Sequence, residues 1–335
     1  MTVNASAKSS PSIRDVAKLA RVSHQTVSRV LNDHPYIRPA TRERVLAAMA
    51  ELNYRPNRAA RTLATSRSHT IGVLLTASAS HYGPASTIAA VEEAARDRGY
   101  SVVLASPGRV EVAEFSDALD HLIREGVDGI IAVAPQIRAA AAVAKLHNPV
   151  PVVMIQCDSG DPRLSVDNRV GGKLAAEHLW RLGHRRLAHV SGPGDWSEAT
   201  ARRHGFEEAL ADVGSGPVAI AEGDWSAESG YRAFEHLRDS GCTAVFCAND
   251  QMALGLIHAA HDDGRRVPRD LSIIGFDDTP EAAHYLPPLT TIRQDFHMVG
   301  RRAVDSLLSA LDGTPKHGRS IHPKLVVRDS TSAPA

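Results

Sequence analysis

Two sets of residues in this 335-residue chain have types and spacings that could do chemistry. The first lies in "SHQTVSRVLN", Ser23 to Asn32. Wound as a helix, it puts Val27, Val30 and Leu31 on one face and His24, Gln25 and Arg29 on the other. Gln offers a paired donor and acceptor that match adenine, and Arg forks onto guanine. The first residues of a helix laid in a major groove are the ones that meet base edges. Thr26 and Ser28 suit phosphate oxygens. The second set follows a series of short apolar runs: Gln156, Cys157 and Asp158; Asp195, Trp196 and then Arg202; Asp224 and Trp225; Asn249 and Asp250; Phe276, Asp277 and Asp278; Gln294, Asp295 and Phe296. Amides, carboxylates and a guanidinium match vicinal hydroxyls, and flat rings match the apolar face of a sugar.

Each set has a plainer reading. A solvated polar helix face fits the first as well as a DNA contact does, until charge is counted. Lys and Arg number 38 and Asp and Glu number 38, so the whole chain is formally neutral. Residues 1–69 hold 12 basic and 4 acidic residues, a formal charge of +8, and the remainder carries −8. A basic head on an acidic body is expected when only the head meets a polyanion. In the second set, Asp250 and Asp278 read better as caps of the following elements than as ligand contacts. Asp195 fits either role equally.

The elements that must position these residues differ between head and body. From Ser12 to Tyr54 the pattern predicts three short helices. Ser12 caps the first, "IRDVAKLA", with Asp15 as its box partner, and Ile13, Val16, Ala17 and Ala20 share a face. Ser23 caps the second. Pro39 opens the third, whose Val45, Leu46, Met49 and Leu52 complete the seam. This is a helix-turn-helix. After it, Asn57 could cap a two-turn segment in which Ala60, Leu63 and Ala64 form a narrow stripe among Arg58, Arg61 and Arg67. A plain linker is one reading. The other is a hinge helix that folds only on DNA, with Leu63 wedged into the minor groove.

From about His69 short β-rich runs alternate with amphipathic helices, twice over. That alternation, with continuously apolar strands, predicts parallel sheets covered on both faces. The second run is long enough for its own sheet. The expectation is two α/β lobes with a cleft between them, crossed near Gln156–Asp167 and again near Leu289–Phe296. In such sheets ligands sit beyond the strand C-termini, where the second set lies.

"IRDVAKLARVSHQTVSRVLN", "TRERVLAAMAELNYRPNRAARTLA", "EGDWSAESG", "ANDQMALG" and "PPLTTIRQDF" resemble the LacI/GalR family of bacterial transcriptional repressors, collinearly from about Ser12 to Arg328. The resemblance implies a periplasmic-binding-protein-like core under the helix-turn-helix head. It makes His24, Gln25 and Arg29 the base-reading positions and Leu63 the minor-groove wedge. It places Arg202, Trp225, Asn249 and Asp277 at the effector, with Phe296 lining the pocket and Gln156 and Trp196 beside it. Where this chain has Arg21 the family usually has glycine. A left-handed backbone there would cost a non-glycine residue roughly 1–2 kcal/mol.

The resulting domain reading is a tail at 1–11, a DNA-binding domain at 12–56, a hinge at 57–68 and a two-lobed core at 69–330. Lobe 1 takes about 69–162 plus 294–318, and lobe 2 about 163–293 plus 319–330. The function expected is a dimeric repressor released from a pseudo-palindromic operator by a small sugar, a galactoside being one case. A co-repressor-activated regulator of the same family and a sugar-binding transport protein are the alternatives. The N-terminus lacks an apolar h-region and no apolar run reaches the about 18 residues of a membrane helix, so a cytoplasmic location is expected. Three cysteines without CxxC spacing suit a reducing compartment. The seventeen histidines are scattered, and "HAAHDDG" reads as a solvated helix end, so no metal is expected. There is no cofactor loop and no nucleophile–base set, so neither a cofactor nor an enzyme is expected.

Overall fold

A computed structural model describes residues 11–31, 34–54, 67–76, 82–107, 112–145, 148–156, 161–314 and 320–335. The chain divides into two compact units, Met1–Ser68 and His69–Ala335.

In the first unit, α1 (Ile13–Ala20) starts on a capping box: Ser12 N–H donates to Asp15 Oδ2 at 2.8 Å, and Asp15 N–H returns to Ser12 Oγ at 3.4 Å. It ends at Arg21, whose φ of 55° and ψ of 49° are left-handed. The chain then turns into α2 (His24–Leu31), where Thr26 N–H donates to Ser23 Oγ at 3.1 Å. Pro39 opens α3 (Pro39–Glu51). Val16, Ala17, Ala20, Val27, Val30, Val45 and Ala48 make the core of this unit. Leu46, expected in that seam, is half exposed. The buried stripe of α3 runs through Val45 and Ala48, three residues apart, and Leu46 lies about 100° around the helix from Val45.

The second unit holds two sheets. The first is all parallel, in the order β2 (Ser101–Ala105), β1 (Thr70–Leu75), β3 (Gly129–Val133), β4 (Val152–Ile155). Helices α4 (Tyr82–Asp97), α5 (Val112–Arg124) and α6 (Ile137–Val143) connect its strands. The second sheet is ordered β10 (Lys324–Val326), β9 (Thr290–Arg293), β8 (Ser272–Asp277), β7 (Ala244–Cys247), β5 (Leu187–Ser191), β6 (Ala219–Glu222). Only the β10–β9 pair is antiparallel. Its helices are α7 (Asn168–Arg181), α8 (Ser197–Ala211), α9 (Ala227–Leu237) and α10 (Asp250–Asp262). Strands β3, β5, β7 and β8 are buried along their whole length, as strands covered on both faces must be.

The last helix, α11 (Phe296–Leu311), leaves β9 of the second sheet and packs on α4, β3 and β4 of the first. The approach is close: a Cβ at Gly300 would meet the backbone of Ala90 at 2.5 Å. The chain therefore passes between the lobes after β4, after β9 and again before β10.

Candidate functional site

On α2, His24, Gln25 and Arg29 are exposed, while Thr26 and Ser28 are half-buried beside the core residues Val27 and Val30. The first turn of the helix thus offers an amide and an imidazole outward, with a guanidinium one turn on. Asn57, Arg58 and Leu63 lie outside the described residues.

The second site lies between the lobes. Five residues marked in the sequence, Trp196, Arg202, Trp225, Asn249 and Asp277, line one cavity with Tyr82, Gly83, Pro84, Glu198 and Gln294. The open space is about 20 Å³, room for about one water. A sugar enters only when the lobes or side chains part. Gln156 and Phe296 stand just behind Gly83, where an added Cβ would lie 3.7 Å from Gln156 Nε2 and 3.8 Å from the Phe296 ring. Tyr82 meets Phe296 edge-on, with ring centroids 5.8 Å apart.

Backbone packing positions these groups. Helices α7 and α8 touch main chain to main chain: a Cβ at Gly172 would lie 2.0 Å from the carbonyl of Arg202. From that helix Arg202 reaches inward, almost wholly buried. Its Nε donates to Asn168 Oδ1 at 2.8 Å and its Nη1 to the carbonyl of Ala248 at 2.6 Å. The guanidinium lies 3.8 Å from the ring centre of Phe276. Nη1 is 3.6 Å from Asp277 Oδ1, and Nη2 is 3.9 Å from Glu198 Oε2. Trp225 fits because residue 192 is glycine; a Cβ there would overlap its ring at 2.2 Å. Trp196 meets Trp225 edge-to-face at 5.3 Å and 63°.

Gln156, Trp225, Asp277 and Asp278 all have positive φ, of 58°, 74°, 110° and 59°. Left-handed backbone is costly for side chains of this size, and such residues gather at binding sites. Three buried polar atoms here have no hydrogen-bond partner: Gln156 Oε1, Trp225 Nε1 and Gln294 Oε1. Orphaned buried polar groups are rare, and a ligand's hydroxyls would complete them.

Burial pushes the Asp277 carboxyl up to about 6, against the pull of Arg202 and of Gln294, whose Nε2 donates to it at 2.6 Å. Asp250 is pushed up to about 8, first by burial and then by the charge of Asp277. The sequence reading gave Asp250 a capping role. The cap of α10 is instead Asn249, whose Oδ1 accepts from Met252 N–H at 2.9 Å. Asp250 lies one residue into the helix, accepting from Thr279 N–H at 2.8 Å and from Thr291 Oγ1 at 2.6 Å. Asp278 is gripped by Arg293 at 2.5 Å and Arg328 at 2.6 Å. Asp195 pairs with Arg138 of lobe 1 at 3.2 Å. Its carbonyl also accepts from Ile137 N–H at 2.8 Å, so this residue ties lobe to lobe.

Tyr82, Glu198 and Gln294 line the cavity without having been marked as ligand contacts. Gln294 had a signal, since it ends a strand. Glu198 and Tyr82 lie within the first turns of helices, and nothing in their spacing separates them from solvated helix residues.

The pattern described as "Bacterial regulatory proteins, lacI family" matches residues 12–57, and that of a "Periplasmic binding protein-like domain" matches residues 176–331. The chain is 40% identical over 326 residues to the lactose operon repressor of Escherichia coli (strain K12), covering 96% of this chain and 90% of that protein. It is 34% identical to the HTH-type transcriptional repressor PurR of Haemophilus influenzae (strain PittEE), over 96% of this chain and 98% of that one. Among solved structures, the lac repressor dimer bound to operator and the anti-inducer ONPF superposes with a TM-score of 0.84 at 39% identity, covering 96% of this chain and 99% of that one. With a helix-turn-helix head and a two-lobed α/β core over nearly its whole length, the chain belongs to the lacI family of bacterial regulatory proteins, the DNA-binding transcriptional repressors.

Proposed function

We propose that this chain works as a homodimer on a pseudo-palindromic operator and is released from it by a small sugar bound between its lobes. In this reading residues 12–56 are the DNA-binding domain, 57–68 the hinge and 69–330 the core. His24, Gln25 and Arg29 read bases, Thr26, Ser28, Asn57 and Arg58 hold the backbone, and Leu63 is the wedge. Arg202, Trp225, Asn249, Asp277, Phe296, Gln156 and Trp196 bind the effector, joined by Gln294 and Glu198.

One observation carries the effector site: the buried, unpartnered Gln156 Oε1, Trp225 Nε1 and Gln294 Oε1 converge on one small cavity between aromatic walls. A polyol supplies both donors and acceptors to such a set. A dimer follows from the head, because one helix in one groove gives too little affinity and specificity. A ligand that prefers one lobe arrangement shifts operator affinity by linkage, typically by ~1–3 kcal/mol.

The test is titration of the protein onto DNA from upstream of its own gene neighbourhood, with and without a panel of galactosides, glucosides and other sugars. Release by one sugar supports the reading and names the effector. Tighter binding with a sugar reverses the sign and makes the ligand a co-repressor. Failure to bind any such DNA overturns the reading of α2.

A further inference from the structure

We infer, resting on the reading of the crevice as a sugar site, that it takes an uncharged saccharide and rejects the phosphorylated form, with Glu198 setting that rule. Arg202 is the sole cation among the described residues that line the cavity. Two carboxyl groups flank it there, Asp277 at 3.6 Å and Glu198 at 3.9 Å. Two of its donors are already spent on Asn168 and Ala248, and one face of its plane lies on Phe276. The lining carries two formal negative charges against one positive. A phosphate group would bring −1.5 to −2 more into a buried site of low dielectric. No second cation stands among the described lining residues to receive it.

The hydrogen-bond inventory points the same way. Of the three unpartnered buried atoms, Gln156 Oε1 and Gln294 Oε1 accept and Trp225 Nε1 donates. The carboxylates of Asp277 and Glu198 add further acceptors. A site rich in acceptors calls for a ligand that donates, as hydroxyl groups do. A phosphate dianion has only acceptor oxygens. Trp196, Trp225 and Phe296 supply ring faces and edges for the apolar side of the sugar ring. Glu198 is the element of this arrangement that holds Nη2 of Arg202 under a carboxylate. Its amide would leave that edge of the guanidinium open to an anion.

Isothermal titration of the full-length protein tests this, with hexoses and disaccharides, each hexose paired with its 6-phosphate and its uncharged 6-O-methyl ether. The expected result is binding of at least one neutral saccharide, with its 6-phosphate weaker by about a hundredfold or more, since a misplaced like charge costs several kcal/mol. The methyl ether, which adds bulk without charge, stays much closer to the parent. In Glu198→Gln the gap between sugar and phosphate narrows by about tenfold. A 6-phosphate that binds as tightly as its parent overturns the charge rule and leaves the sugar reading standing. Equal loss of ether and phosphate assigns the exclusion to bulk and also overturns it. Binding of no saccharide in any form sinks the sugar reading and this inference together. The wild-type comparison decides the rule without the variant; an unchanged gap in Glu198→Gln removes the role given to Glu198.

Discussion

Asn249 Nδ2 donates a 3.0 Å hydrogen bond to the carbonyl of Trp225 while Oδ1 of the same side chain caps α10. One amide thus fixes the start of a helix and the strained turn that presents the indole. Asn249→Ala should lower stability by about 1 kcal/mol from the lost cap and should also weaken effector binding by displacing Trp225. Thermal unfolding and effector titration on the same preparation check both. A stability loss with unchanged effector affinity would separate the two roles.

Arg29→Ala removes the exposed guanidinium of α2. Specific operator binding should weaken by about 1–3 kcal/mol, the range for a lost base contact. Binding to unrelated DNA should change far less. Fluorescence anisotropy on both DNAs at matched salt reads the difference. Equal losses on both would make Arg29 a phosphate contact, with the salt slope falling by about one.

Arg21 holds a left-handed backbone that a glycine adopts without strain. Arg21→Gly should therefore raise the stability of the head by up to about 1 kcal/mol. Amide hydrogen exchange in α1 and α2 reports this unit alone. Unchanged or weaker protection would show that the arginine side chain offsets the strain of its backbone.

Asp250 has its folded pKa raised, so its contribution to stability is present at low pH and lost as pH rises through about 8. Asp277 acts in the same sense through about 6. His178, His184 and His189, all lowered by burial, give the opposite slope at lower pH. By about pH 7 their ionisation is nearly complete in the unfolded chain as well. From about pH 7 to 9 the core should therefore lose stability, and Asp250→Asn should flatten that loss. An asparagine accepts from Thr279 N–H and donates to Thr291 Oγ1, as the protonated acid does. A slope that persists in the variant would assign the effect elsewhere. Calorimetric unfolding in a pH series is the measurement.

The head was legible because each of its signals is local. The Ser12–Asp15 box, Ser23 as a cap and Pro39 opening α3 are separated by short sequence distances, and the structure has each of them. Leu46 misled because Val45, its neighbour, also fits an apolar stripe, and only the packing of α3 against its partners decides between them. In the core, Trp225, Asn249 and Asp277 could be found from their places at strand ends. Asp250 could not be read correctly, since its partners Thr279 and Thr291 lie 29 and 41 residues away. Nor could Glu198, which becomes a cavity wall only when α8 is pressed against α7 through Gly172 and Gly205.

Neither lobe of the core is a continuous stretch of chain. The first sheet has β1 to β4 from one part of the sequence and depends on α11 from another; the second runs from β5 to β9 and takes β10 from the far end. A protease that cut the passage after β4 would free no lobe, because two further covalent passages still join them. No single truncation separates them either, since every cut that removes one lobe strips a helix or strand from the other. Three tethers side by side also leave little freedom to twist or slide, so the natural relative motion is an opening and closing about the line they define. Selection has then acted on the pair as one mechanical part, and a graft of new effector specificity would have to carry both halves together.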